Sequence, residues 1–467
     1  MAERRKILVI GAGFSGVALA IQLLKRTSAQ VVLVERSGVF GRGIAYAGHG
    51  EANVLNVRAS RMSALACTPT HFTDWLAQHA PDDADADGFA RRTTYGAYLS
   101  DTLRTEAAAA PGRFVRRAGQ AVALEADANG ATARMESGVE LNADAAVLAL
   151  GNIPPATPAE AQGASGSPRY VENPWAAGAL DRVGLSDDVI LMGSGLTAVD
   201  ALLELERRGW RGRATIVSRR GLLPQPHDAV QAHVHHEAPR HGRLSVMLNA
   251  FRADAASTPW GRLMDELRPH GQLLWTRMTT EEKRRFLRHL RPWWDIHRHR
   301  IAPKVATRLA RLRVDGRLDV LAGKLVSAAR DGEAMTVTVR PRGARATRTL
   351  RAPWLVNCTG PDMDVTRAGD PLLTQLFNAG VAKPDVLKQG IEVDAALRVH
   401  DAFGRVQPRL FAIGPATRGA FWEVIAVPDI RVQAMQIADT LSALDGERGT
   451  DVRAGVESDS PDAELRI

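Results

Sequence analysis

The chain has 467 residues, enough for about three domains at roughly 150 residues each. Its 45% hydrophobic and 24% charged residues are the mix of a soluble globular protein, which excludes wholesale disorder, collagen and coiled coil. Two distant cysteines, Cys67 and Cys358, form no CxxC pair; that excludes a disulfide framework, a thiol-pair redox centre and a cysteine-built zinc site, and points to a reducing cytoplasm.

The net charge is +8, but only seven of the 60 basic residues are lysines and the arginines are scattered along the chain. That pattern reflects compositional drift rather than a nucleic-acid footprint. The densest run, residues 284–300, interleaves arginines with Trp293, Trp294 and three histidines. Such a run can stack on bases, yet no nucleic-acid motif accompanies it. No nucleic-acid partner is expected; the positive field suits anionic cofactors instead.

Arg4, Arg5 and Lys6 precede an apolar stretch, as in a secretory signal. The stretch is broken, however, into a strand (residues 7–10), a glycine-rich turn and a helix (17–24). No segment reaches the roughly 18 continuous apolar residues of a membrane span, so neither a membrane anchor nor secretion is expected.

The turn is Gly11-Ala12-Gly13-Phe14-Ser15-Gly16, and the next strand, 31–34, ends in Glu35, followed by Arg36. Gly11 permits the tight turn, Gly13 lets a pyrophosphate approach the backbone, and Gly16 lets helix and strand pack closely. Free amides at the helix start face the phosphates, and Glu35 stands where a ribose diol would be. The acid-ended strand suits the ADP half of FAD. Strand, turn, helix and acid in register make this signal specific.

Residues 145–150 form a buried strand ending at Gly151. A second fingerprint follows the strand 189–192: Gly193-Ser194-Gly195-Leu196-Thr197-Ala198, with alanine as an accepted third position. Its second strand, 214–217, ends in Ser218-Arg219-Arg220 instead of an acid. Arginine pairs with a 2′-phosphate that a carboxylate would repel, which points to NADPH.

Residues 226–308 read as helices at 244–252, 261–267 and 280–290, a lid over the substrate. They contain His227, His233, His235, His236 and His241, which lack metal-ligand spacing and read as a solvated or substrate-lining loop; no metal is expected. Residues 295–300 put Asp295, His297, Arg298, His299 and Arg300 beside two tryptophans, a set able to bind an anionic substrate or the nicotinamide ribose. Residues 333–340 alternate as a strand. Residues 354–361 repeat the form of a strand ending at glycine, here Gly360.

Taken together, these segments resemble the two-dinucleotide-binding flavoproteins, which include flavin-containing and N-hydroxylating monooxygenases. More closely, the chain is similar to a bacterial FAD/NAD(P)-binding family. The similarity rests on Gly41-Arg42-Gly43-Ile44-Ala45-Tyr46, Leu55-Asn56-Val57, residues 193–200, residues 294–300, and residues 410–431 with Gly414-Pro415, Trp422-Glu423 and Val427-Pro428-Asp429-Ile430-Arg431. Pro415 stands where many relatives have aspartate, and residues 169–175 replace the linker of the flavin-containing monooxygenases.

The resemblance implies an α/β chain of two Rossmann-like dinucleotide-binding domains, the second inserted in the first. Residues 1–157 and 352–445 would bind FAD, 158–225 and 309–351 NADPH, 226–308 would form the helical insertion, and 446–467 a mobile polar tail. It adds Gly43, Asn56, Gly151, Gly360, Gly414 and Pro415 to the cofactor contacts and places Trp422, Glu423, His297 and Arg298 at the reacting end. The expected activity is an NADPH-dependent flavin monooxygenase acting on a small organic substrate with molecular oxygen, through a flavin hydroperoxide. An oxygen-independent NADPH-linked flavoprotein reductase and a nucleotide-binding sensor remain open, as does the oligomeric state.

Overall fold

The computed structural model describes residues 4–46, 53–228 and 243–454. His233, His235, His236 and His241 lie outside the described residues. The strand Lys6–Ile10 sits in the middle of a six-stranded sheet, paired in parallel with Gln30–Glu35 on one side and Ala145–Leu148 on the other. Val9 faces Leu33 and Val147 in register, and all three are fully buried. A strand covered on both faces needs an unbroken apolar run, which Ile7, Leu8, Val9 and Ile10 supply. The helix Phe14–Arg26 buries every residue from Phe14 to Leu24, because Arg92–Ala109 and the terminal helix Val427–Ala454 pack against it. Val406–Ala412 and Arg398–His400 complete this sheet from the far end of the chain.

A second, seven-stranded sheet is built the same way around Val189–Met192, with Ala214–Ser218 and Trp354–Asn357 as its parallel neighbours. Leu318–Asp331 adds in parallel beside Ala214–Ser218, and Ala334–Pro341 and Arg348–Ala352 follow it as antiparallel hairpins. Here one sequence expectation is corrected. The strand Trp354–Asn357 belongs to the second sheet, so the chain returns to the first sheet only after it, not at residue 352. Backbone pairing of Leu355 with Ile190, far away in sequence, decides this.

The insertion contains more helix than the sequence pattern suggests: Leu244–Asp254, Trp260–Leu267, Gly271–Arg277, Thr280–Arg285 and Arg291–Arg298, with a π-helical turn Phe286–Leu290 between the last two. Thr279 starts one of them with a capping box to Glu282. Trp275 and Phe286 form a buried cluster with Trp422 of the first domain, fastening the insertion down. The terminal helix continues through Gly446 to Ala454, where the sequence suggests a tail; residues 455–467 lie outside the described residues. No helix among the described residues is long and apolar enough to cross a membrane.

The two sheets are tied by Arg92 and Asp200. The Arg92 guanidinium donates to both Asp200 oxygens, at 3.1 and 3.0 Å, and lies over the Trp175 ring.

Candidate active site

A single cleft of about 1400 Å³ opens at the carboxyl ends of the parallel strands of both sheets, the place where open α/β sheets take their ligands. It is lined at one end by Gly13 and Glu35, further on by Gly195 and Arg219, and beneath the insertion by Arg298 and Glu423.

The glycines show what the cleft is shaped for. A Cβ on Gly11, at φ +105°, would sit 2.3 Å from the Ala149 carbonyl oxygen, and one on Gly16 1.8 Å from that of Gly11. These two are packing glycines. A Cβ on Gly13 would meet only the Gly43 Cα, 3.8 Å away, and so would project into the space beside the helix start. The second turn repeats the plan. Gly193, at φ +109°, packs its missing Cβ against the Cys358 carbonyl, whereas Gly195 has nothing within 4 Å. Gly151 and Gly360 close the neighbouring strands with positive φ and open space beyond. Each turn therefore leaves bare backbone at a helix N-terminus facing the cleft, which fits a pyrophosphate.

Phe14, Ser15, Arg36, Gly43, Asn56, Leu196, Thr197, Arg220 and Pro415 also line the cleft. Gly16 and Gly414 do not; a Cβ on Gly414 would strike the Ser15 Oγ. Pro415 opens a 3-10 turn, Gly414–Thr417, instead of the first turn of an α-helix. The Glu35 carboxylate accepts from the Ala12 amide at 2.8 Å and from the Ser37 amide and hydroxyl, which fixes it at the strand end and leaves its remaining lone pairs for a diol. Among the described residues Arg219 and Arg220 stand in no ion pair. His227 faces the cleft with its Nε2 2.9 Å from the Asn56 carbonyl, and burial pushes its pKa down to about 4.

Beneath the insertion the centre is Glu423. It is buried, with φ +71°, an uncommon conformation for a residue with a Cβ. Its carboxylate meets the Arg298 guanidinium at 2.5 Å, accepts the Trp294 indole N–H at 2.6 Å and lies 3.5 Å from His299 Nε2. Burial alone would raise the Glu423 carboxyl, but Arg298, His299 and the Trp294 N–H together hold it below the ordinary range. Burial is also the main reason the His299 imidazole is lowered, against the pull of Glu423 and Asp295. Trp422 lines the cleft and stacks on Trp275 with ring centroids 4.8 Å apart.

His297 is not brought to this site. On the short helix Arg291–Arg298 the face that carries Asp295 returns at Arg298 and, just past its end, His299, three and four residues on; His297 points away, its Nδ1 2.8 Å from the Trp293 carbonyl and its ring against Trp260. His299 takes the place expected for it. Sequence reasoning also passed over Arg268 and Arg418, both in the cleft wall. Among 53 arginines only their burial distinguishes them. No cluster of metal-binding side chains occurs among the described residues.

Residues 8–153 match a family model described as FAD-NAD(P)-binding. No curated protein matches the sequence significantly. The fold is that of the two-dinucleotide-binding flavoproteins. An ornithine N-hydroxylase from Kutzneria sp. 744 superposes with a TM-score of 0.65 at 15% identity, over 96% of this chain and 100% of its own. L-lysine 6-monooxygenase from Pseudomonas syringae does so at 0.65 and 17%, over 94% and 99%. Thioredoxin reductase from Lactococcus lactis shares the fold more loosely, at 0.54 and 12%, over 94% and 100%.

Proposed function

We propose that the chain is an NADPH-dependent FAD monooxygenase of the cytoplasm that transfers one oxygen atom of O2 to a small organic substrate. The observation that carries the reading is the continuity of the cleft: one space joins both glycine turns to a third, helix-roofed end. Fold likeness to ornithine and lysine hydroxylases over nearly the whole chain supports it. A reductase handing electrons to a partner at the surface would have no need of the roofed end.

In this reading Gly11, Gly13 and Ser15 present the amides that bind the FAD pyrophosphate, and Glu35 takes the ribose. Gly193, Gly195 and Thr197 do the same for NADPH, with Arg219 and Arg220 on its 2′-phosphate. Bound FAD supplies hydride acceptance, oxygen activation and oxygen transfer. The chain itself supplies position and dryness. Trp422 walls the reacting end and Trp294 packs behind Glu423, and Glu423, ionised and held by Arg298, can take a proton from a bound substrate and return it. His299 steadies that carboxylate.

The test follows FAD uptake first, then NADPH oxidation, O2 consumption and peroxide release across amines, sulfides, ketones and organic acids. The expected result is a substrate that converts peroxide release into a product carrying one oxygen from labelled O2. A product formed equally well without O2 would turn the assignment to a reductase.

A further inference from the structure

The charge beneath the insertion is unbalanced in one direction. Four carboxylates line that end of the cleft, and every one is already in an ion pair: Glu423 with Arg298 at 2.5 Å, Asp295 with Arg291 at 3.3 Å, and Asp265 and Asp228 with the buried Arg300. Arg268 lines the same wall and, among the described residues, is in no ion pair; its Nη2 is buried without any hydrogen-bond partner. Arg418, also in the wall, is bound among the described residues by neutral groups, the Asn152 side-chain oxygen at 2.9 Å and the Met363 sulfur. Burial pushes both guanidiniums down to about 10, and a nearby guanidinium adds to it, Arg298 for Arg268 and Arg291 for Arg418, against the pull of Asp429 and Glu423 on Arg268 and of Asp295 and Glu423 on Arg418.

A buried cation without a partner is costly, and an orphaned guanidinium N–H is a donor awaiting an acceptor. Among the described residues that line this end, a second cation would find every carboxylate already in an ion pair and two arginines in none.

We infer that the substrate is an organic anion, carrying a carboxylate or phosphate that pairs with Arg268 and no ammonium group such as the amino acids named for the structural neighbours carry. This rests on the monooxygenase reading above. Arg418 lies against Asn152, at the end of a first-sheet strand, and suits the cofactor; Arg268, on the insertion, is left for the substrate. The guanidinium fork fixes a carboxylate or phosphate bidentately, so the anionic group anchors the molecule while the rest extends toward Glu423 and Trp422.

The experiment is calorimetric titration of FAD-loaded protein with glutarate, butyl phosphate and cadaverine, the first and last being five-carbon chains of opposite charge. At least one anion should bind, cadaverine should not, and the tighter anion reports which headgroup is used. Arg268→Gln should weaken that anion about tenfold or more, the loss of a charge-assisted hydrogen bond. Arg268→Lys, which keeps the charge but not the fork, should fall between and serves where the glutamine variant fails to hold FAD. Cadaverine binding as well as the anions, no binding of either anion, or unchanged anion affinity in both variants overturns the inference. So does loss of anion binding in saturating NADP+, which would give Arg268 to the nucleotide. Failure to take up FAD at all would sink the monooxygenase reading instead.

Discussion

Arg298, at the end of the insertion's last helix, and Glu423, in the segment that follows the Gly414 turn, meet at 2.5 Å with side chains only 11% and 8% exposed. The pair joins the insertion to the first domain at the roofed end of the cleft. Glu423 holds its φ of +71° at a strain of about 1–3 kcal/mol, which the ion pair and the Trp294 hydrogen bond offset. Glu423→Gln keeps the shape but strands the Arg298 charge, a change that costs about 3–5 kcal/mol for a fully buried pair. Chemical denaturation should show a loss approaching that range together with lost coupling of NADPH oxidation to product. Full stability and coupling in the variant would remove Glu423 from the proposed centre.

The same pair sets a pH dependence. Glu423 is held below its ordinary value of 4.5, so the unfolded chain binds the proton first as pH falls. Its contribution is whole above the unfolded value and disappears as pH drops through the folded one. His299 is held below its ordinary 6.5 and stays neutral in the fold. Below about 6.5 the unfolded chain takes a proton that the folded chain refuses, so stability starts to fall there. Melting temperature should therefore decline in two stages on acidification. His299→Gln should lessen the upper stage, to which His227 and His71 also contribute, and Glu423→Gln the lower; identical curves for wild type and both variants would refute the assignment.

Gly13 and Gly16 differ by three residues and by what lies before them. Gly16→Ala puts a methyl 1.8 Å from the Gly11 carbonyl, an overlap that backbone must move to relieve, and should destabilise the domain by about 3 kcal/mol or more. Gly13→Leu meets no such wall. It should keep the melting temperature of FAD-free protein within a few degrees while abolishing FAD retention. Retention of yellow cofactor by Gly13→Leu would move the pyrophosphate elsewhere.

At the second turn the expectation is selectivity. Replacing Arg219 and Arg220 together by alanine should raise the NADPH dissociation constant about tenfold or more and leave NADH nearly untouched, since NADH lacks the 2′-phosphate. Rapid reduction of the bound flavin by each nucleotide measures both. An unchanged NADPH preference would place the phosphate on other arginines of the cleft.

Both glycine turns are legible because each is local: an apolar run, spaced glycines and the residue ending the next strand all lie within a few dozen positions. Assignment of Trp354–Asn357 to a sheet is not, since a strand closed by glycine has the same form in either sheet and only its pairing with Val189–Met192 separates them. The end of the cleft beneath the insertion is half legible: Trp422, Glu423 and Arg298 do come together there, but with His299 rather than His297, a distinction that depends on which turn of a short helix faces inward. Arg268 carries no sequence signal at all in a chain so rich in arginine; its significance comes from a buried Nη2 left without a hydrogen-bond partner in the cleft wall.

Two adjacent tryptophans separate oxygenase from reductase. Trp294 donates to Glu423, packs edge-on against Phe286 at 5.7 Å and belongs to the cluster of Trp275 and Trp422. Trp293 is 44% exposed. An oxygenase must keep water from the activated oxygen until it is transferred, because an open site releases it as peroxide. Trp294→Ala loosens the cluster behind Glu423 and frees one lone pair of that carboxylate for water. It should leave NADPH oxidation running while the ratio of oxygenated product to peroxide falls about tenfold, equivalent to about 1.4 kcal/mol between the two outcomes. Trp293→Ala removes an equally large ring from the surface and should alter that ratio by less than about twofold, the change expected of a surface substitution. A reductase has no such shelter to lose: equal effects of the two substitutions, or peroxide release as high in the wild type as in Trp294→Ala with every substrate tried, would decide against oxygen transfer.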